Sequence, residues 1–128
     1  MNFVSDTHPL IWYFTDDPRL GKTALKAFED TVSKGNVIIP SIVLAEIMHV
    51  SKRGKIGLTF QKTLGLIEEM GNFRISPLDP DILKAADSIK TDLEMHDRLS
   101  VATAIWYEYP LVTRDKIIVE SKLVKTIW

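Results

Sequence analysis

The sequence predicts a three-layer α/β/α sandwich, with helices covering both faces of a mostly parallel central sheet. Three observations carry that expectation. Short apolar strands alternate with amphipathic helices, the connections between them are brief, and "NVIIP" is continuously apolar, as expected of a strand covered on both faces. No repeat, low-complexity tract or Pro/Gly/Ser-rich linker interrupts the 128 residues, so 1–128 is expected to form a single domain.

The elements follow in order. "NFVS" is the first strand, and a helix runs through "PLIWYF", where Pro9 is acceptable in a first turn. "KTALKAFEDTVSK" is a second helix that gathers Ala24, Ala27, Phe28 and Val32 on one face and stops at Gly35. "NVIIP" follows as a strand, and Ser41 is placed to cap the helix "SIVLAEIMHV". "LTFQKTLGLIEEM" is a helix closed by Gly71, "FRISPL" a third strand, and "DPDILKAADSIKT" a helix with Pro80 near its start. Asp97 leads the helix "DRLSVATAIWYE", "PLVTRD" is a strand running into a turn, and "KLVKTIW" supplies a last strand.

Composition excludes several classes. There is no cysteine, so a disulfide framework and a thiolate metal site are both unavailable. The net charge of −1 carries no positive excess of the kind that binds nucleic acid wholesale, so any polyanion must be met locally. The start "MNFVSDTHPLIWYF" lacks a basic leader, is interrupted by Asp6 and His8, and is too short to span a bilayer, which fits a mature cytoplasmic protein with no membrane contact.

In open α/β sheets ligands gather beyond the carboxyl ends of the strands, and Asp6 and Asp115 fall at such ends. Each acidic residue also has a structural explanation: Asp6 and Asp97 as helix caps, Asp115 as a turn former. Glu46 fits these less easily. It lies within an apolar helix between Ile42, Val43, Ile47 and Val50, where an unpaired carboxylate costs several kcal/mol or takes up a proton, unless it borders an exposed strip with His49. Brought together with Asp6, Asp97 and Asp115, it would complete a cluster of negative charges that repel strongly unless divalent cations sit among them. All-oxygen ligation favours Mg²⁺ or Mn²⁺ over zinc. The chain lacks H-E-x-x-H, and His8, His49 and His96 read as local packing or hydrogen-bonding residues.

The segments "FVSDTHPLIWYF", "PSIVLAEI", "HDRLSVATA" and "LVTRD", in that order and spacing, resemble the PIN-domain nucleases, in particular the VapC-type toxins of toxin-antitoxin pairs. The resemblance covers nearly the whole chain and implies a PIN-like sandwich. Position by position, Asp6, Glu46, Asp97 and Asp115 match the family's acidic quartet, Thr7 the hydroxyl residue after the first Asp, and Thr113 the Ser or Thr two residues before the last. Glu94 departs from the pattern, standing where many relatives have Asp, at a position that is not a metal ligand.

The implied activity is hydrolysis of RNA phosphodiester bonds by an endoribonuclease that needs Mg²⁺ or Mn²⁺, is silenced by a small antitoxin and is usually a homodimer. Asp6 and Asp97 are expected to hold the principal ion, with Glu46 and Asp115 completing the shell through water or a second ion, and Thr7 and Thr113 orienting them. Lys52, Arg53, Lys55, Arg98 and Arg114 are the candidate phosphate contacts, with Arg98 and Arg114 equally open as internal partners of the carboxylates. Two rival readings stand beside this one. The first is a non-catalytic RNA- or partner-binding scaffold, against which an intact quartet argues. The second is a Mg²⁺-dependent phosphatase, which would want a "DxD" arrangement where Asp6 is followed by Thr7 and His8.

Overall fold

The structure, a computed structural model, describes all of residues 1–128. Its elements in chain order are β1 (Phe3–Ser5), α1 (Thr7–Phe14), α2 (Lys22–Lys34), β2 (Val37–Pro40), α3 (Ser41–Ser51), α4 (Phe60–Met70), β3 (Phe73–Ser76), α5 (Pro80–Asp87), α6 (Met95–Tyr107), β4 (Leu111–Val112), α7 (Lys116–Ser121) and β5 (Thr126–Ile127). The five strands form one sheet in the order β3-β2-β1-β4-β5. Every pairing is parallel, so the sheet is wholly rather than mostly parallel. The chain leaves β1 to build β2 and β3 on one side, then crosses to build β4 and β5 on the other. β1 is therefore the point where the winding reverses, and the crevice beyond its carboxyl end is the favoured ligand position in such sheets.

The period-2 alternation of the strands divides the core into two layers. Phe3, Val37, Ile39, Phe73, Val112 and Ile127 face one side, where they pack with Leu10, Ala24, Phe28, Val43, Ile47 and Ile67 of α1–α4. Val4, Ile38 and Leu111 face the other, packing with Ile82, Leu99, Val101, Ala102 and Ile118 of α5–α7. The expected three layers are thus present. Phe3 anchors the first: its ring meets Phe28 edge-on at 4.9 Å, and Phe28 stacks on Tyr13 at 4.4 Å, pinning α1 and α2 to β1. Burial of a side chain such as Phe3 stabilises the fold by about 1.5–3 kcal/mol.

Several local expectations need correction. Val32 lies outside the buried stripe of α2 and is 54% exposed, while Thr31 points inward. At 3.6 residues per turn Thr31 sits roughly 20° around the helix from Ala24 and Val32 roughly 80°, so geometry prefers the polar residue. Its hydroxyl is satisfied, donating to the Phe28 carbonyl at 2.7 Å and accepting from the Asn72 amide at 3.0 Å. Ser41 does not cap α3, whose N-cap is Pro40. The Ser41 hydroxyl instead donates to the Ser76 carbonyl at 2.8 Å and ties the start of α3 to the end of β3. After β4 the chain forms the short helix α7, where the sequence suggested only a turn. No helix is long and apolar enough to cross a membrane.

Candidate active site

Asp6 lies where β1 gives way to α1. Its backbone N–H donates to the Val112 carbonyl at 3.0 Å, which fixes it at the β1–β4 junction. It is also the N-cap of α1, with Oδ1 accepting the Thr7 N–H at 2.9 Å. Oδ2 accepts the Thr113 hydroxyl at 2.8 Å, and that hydroxyl in turn accepts the Asp115 N–H at 3.1 Å. Thr113, buried just past β4, therefore couples two of the acidic residues. Asp115 is the N-cap of α7, its Oδ1 accepting the Ile118 N–H at 3.0 Å. Capping does not exclude a further role here: the cap fixes the carboxylate's direction.

Asp97 enters from α6. It is not the cap, which is Glu94, but lies in the first turn with its carboxyl half-buried. A helix N-terminus ordinarily favours the anionic form of such a residue. The opposite holds. Burial first, then the charges of Asp115, Asp6, Glu94 and Glu46, push the Asp97 carboxyl up to about 6. Asp6 is raised as well, mainly by burial and further by Glu46 and Asp115, against the lowering hydrogen bonds from Thr113 and Thr7. The mutual repulsion places Asp6, Glu46, Asp97 and Asp115 in one electrostatic neighbourhood. Glu94, paired with His96 at 3.1 Å, adds to it.

Glu46 reaches this neighbourhood by a different route than its apolar flanks suggest. It is half-buried, in line with half-buried Ile42 and Val50, and borders an exposed strip of Ala45, Met48 and His49. Only Val43, Leu44 and Ile47 of α3 are buried. Burial raises the carboxyls of Asp6 and Asp97.

No cation balances the cluster. The ion pairs of the protein are Arg19–Asp17, Lys26–Asp30 and His96–Glu94, and no basic side chain figures among the charges acting on Asp6 or Asp97. Nor does any trio of His, Cys, Asp or Glu stand ready by itself to enclose an ion. The carboxylates present are all-oxygen donors, the type that hard, hydrated divalent cations take. The donor set fits a hydrated divalent cation.

The basic candidates separate. Lys52, Arg53 and Lys55 are exposed beyond the end of α3, with Lys52 roughly 9 Å along the helix axis from Glu46. The Arg53 guanidinium approaches His49 at 3.1 Å. Arg98 is neither a partner of the carboxylates nor a free cation: it donates to the carbonyls of Ala86, Ile89 and Thr91 at 3.1, 2.6 and 2.9 Å, closing the C-terminal end of α5. Arg98→Ala is expected to lower stability by roughly 2–4 kcal/mol, because three carbonyls lose a charged donor. Urea unfolding measures the loss. Arg114 is exposed and lies over the Trp12 ring at 4.5 Å.

Thr7 acts on Asp6 through its backbone amide, whereas Thr113 acts through its hydroxyl. Thr113→Val keeps the shape and removes the coupling. Its expected cost is about 1–3 kcal/mol for the orphaned Asp115 N–H, measured by thermal melting.

A parallel doubly wound sheet with carboxylates gathered near its winding reversal is the α/β arrangement of this chain. The PIN domain matches residues 3–121, and the chain belongs to that family. Similar solved structures share the fold along almost their whole length. They include VapBC2 from Rickettsia felis bound to a DNA fragment from its promoter (TM-score 0.75, 16% identity, 98% of this chain and 97% of that one). A toxin-antitoxin complex from Klebsiella pneumoniae matches with TM-score 0.68, 22% identity, and 95% and 94% coverage. Mycobacterium tuberculosis VapC20, described as a sarcin-ricin loop cleaving toxin, matches with TM-score 0.68, 15% identity and full coverage of both chains. Comparison with curated protein sequences finds no match.

Proposed function

We propose that residues 1–128 act as one PIN domain that hydrolyses RNA phosphodiester bonds with the help of Mg²⁺ or Mn²⁺, as the toxin of a cytoplasmic toxin-antitoxin pair. The observation that carries this reading is the uncompensated carboxylate neighbourhood of Asp6, Glu46, Asp97 and Asp115 at the carboxyl edge of the sheet. Asp6 and Asp97 would hold the principal ion, with Glu46 and Asp115 completing its shell through water or holding a second ion.

A bound divalent cation neutralises phosphate charge and lowers the pKa of coordinated water, which supplies the nucleophile. The chain's own residues hold and orient. Thr113 and the Thr7 amide fix both oxygens of Asp6, which suits a positioned ligand rather than the mobile nucleophile a phosphatase of the "DxD" type would need. The α7 cap holds Asp115 against rotation. Exposed apolar side chains on the α5–α7 layer, Leu83, Met95, Trp106 and Ile117, offer surface for an antitoxin or a second copy of the chain.

The test is RNA cleavage by purified protein with Mg²⁺, with Mn²⁺ and with a chelator, beside an Asp6→Asn control that exposes contaminating nuclease. Cleavage that needs the metal and disappears in the control supports the reading. Cleavage equal in both preparations removes it.

A further inference from the structure

The five arginines are used very differently. Arg19 is neutralised by a two-point bond to Asp17, at 3.0 and 2.7 Å, which holds the Asp17 carboxyl down to about 2. Arg74 donates to the carbonyls of Gly71 and Phe73, Arg98 to three carbonyls, and Arg53 meets His49. Arg114 alone among them is held without giving up an N–H. Its guanidinium carbon lies 4.5 Å from the centre of the Trp12 ring and 5.9 Å from that of Trp128. The two indoles, 5.9 Å apart at 67°, form a corner around it.

The corner is a built feature. Trp12 projects from α1 and is only 3% exposed, its surface covered in part by Arg114 and by Arg19 at 5.0 Å. Trp128 follows β5 and fits because residue 21 is glycine: a Cβ there would stand 2.8 Å from the indole and 2.9 Å from the Trp128 backbone carbon. A guanidinium seated over aromatic rings with no acceptor on its N–H groups keeps them free for another partner, and its planar fork matches the two oxygens of a phosphate. Shielding Trp12 does not by itself account for Arg114, since Arg19 covers the same ring with its charge already matched. Nor does Arg114 serve to balance the acids, because it does not figure among the charges on Asp6 or Asp97. Yet its chain neighbour is Asp115.

We propose that Arg114, seated on Trp12 and Trp128, is the fork that grips an RNA phosphate beside the scissile bond, with the two tryptophans as its positioning residues. This rests on the ribonuclease reading and deepens it. Recognition is of the backbone, so it contributes affinity rather than sequence preference.

The experiment uses the full chain and a fluorescein-labelled single-stranded RNA of mixed sequence. Binding is measured by anisotropy in the Asp6→Asn background across a salt series, and cleavage kinetics in the otherwise wild-type chain. Arg114→Ala is expected to weaken binding about tenfold, and to reduce the salt slope by about 0.7, the value for one phosphate on a single strand. Arg114→Lys should restore the slope but only part of the affinity. Trp128→Ala should raise KM with kcat unchanged, and Trp128→Phe should recover most of the loss. Unchanged affinity and slope in Arg114→Ala, with only a lower melting temperature, would show that Arg114 merely covers Trp12. Failures of the two readings stay distinct. Wild-type cleavage indifferent to Arg114 overturns this inference alone, whereas Arg114-dependent binding without metal-dependent cleavage overturns the nuclease and, with it, the placement beside a scissile bond, leaving only a backbone contact. A wild-type chain that does not bind RNA overturns this inference as well.

Discussion

Replacing Asp6 with Asn is expected to yield a folded protein whose metal-dependent RNA cleavage has fallen by on the order of 10²–10³-fold or more, the scale seen when one preorganised electrostatic group is removed from an active site. The fold should survive because Asn retains a carbonyl oxygen for the Thr7 N–H at the start of α1. The Thr113 hydroxyl must turn, since it now faces an amide where it met a carboxylate oxygen. That local loss is offset by relief of repulsion, because burial and the charges of Glu46 and Asp115 already raise the Asp6 carboxyl. The melting temperature of the metal-free variant is therefore expected to equal or exceed that of wild type. Single-turnover cleavage, Mn²⁺ calorimetry and thermal melting decide the matter together. A folded variant with full activity and undiminished Mn²⁺ binding would remove Asp6 from the site.

The fold was legible because its signals are local. The apolar run Val37–Pro40, the periodic helix Lys22–Lys34 and the αL glycine at Gly71 each announce an element without help from the rest of the chain. α7 was missed because six residues give periodicity too little length to register, and its real marker was Asp115, whose capping geometry exists only once the helix does. Asp6 and Asp115 could be picked out because strand ends are where an α/β sheet gathers ligands, whereas Asp97, read as the head of a helix, joined them through the family resemblance. Glu46 was picked out on a premise the structure corrects: the helix is half-exposed, and Glu46 lies on its half-buried edge rather than inside the core.

The arginines show where sequence stops being informative. Arg98 and Arg114 each adjoin an acidic site residue and read alike, yet one closes the end of α5 and the other rests on two indoles. The difference lies in which partners the fold brings from a distance. Trp128, at the far end of the chain from Trp12, meets it only after β5 has paired with β4 and Gly21 has left room.

In the metal-free protein, Asp97→Asn is expected to raise the melting temperature by an amount that depends on pH. The folded carboxyl titrates at about 6, above its ordinary value of 3.8. Below the ordinary value both folded and unfolded chains are protonated and the variant should gain little. As pH rises through the interval between the two values, the unfolded chain releases its proton first. The folded state binds more protons there, so wild-type stability falls with pH until the folded carboxyl has also ionised. Above about 7 the penalty is complete, and the advantage of Asn levels off at a few degrees, moderated by solvent around the half-exposed group. Asp6, Glu46 and Asp115 titrate in both proteins but are coupled to Asp97, so the difference between the two melting curves reports Asp97 together with its repulsion of them. Adding Mn²⁺ should reverse the order, since the ion binds the deprotonated carboxylate and stabilises wild type increasingly as pH passes 6, with a much smaller effect on the variant. Melting curves of the two proteins that run parallel from pH 4 to pH 8, with and without Mn²⁺ (a range spanning both titrations), would show that Asp97 neither bears the strain of the cluster nor receives the ion.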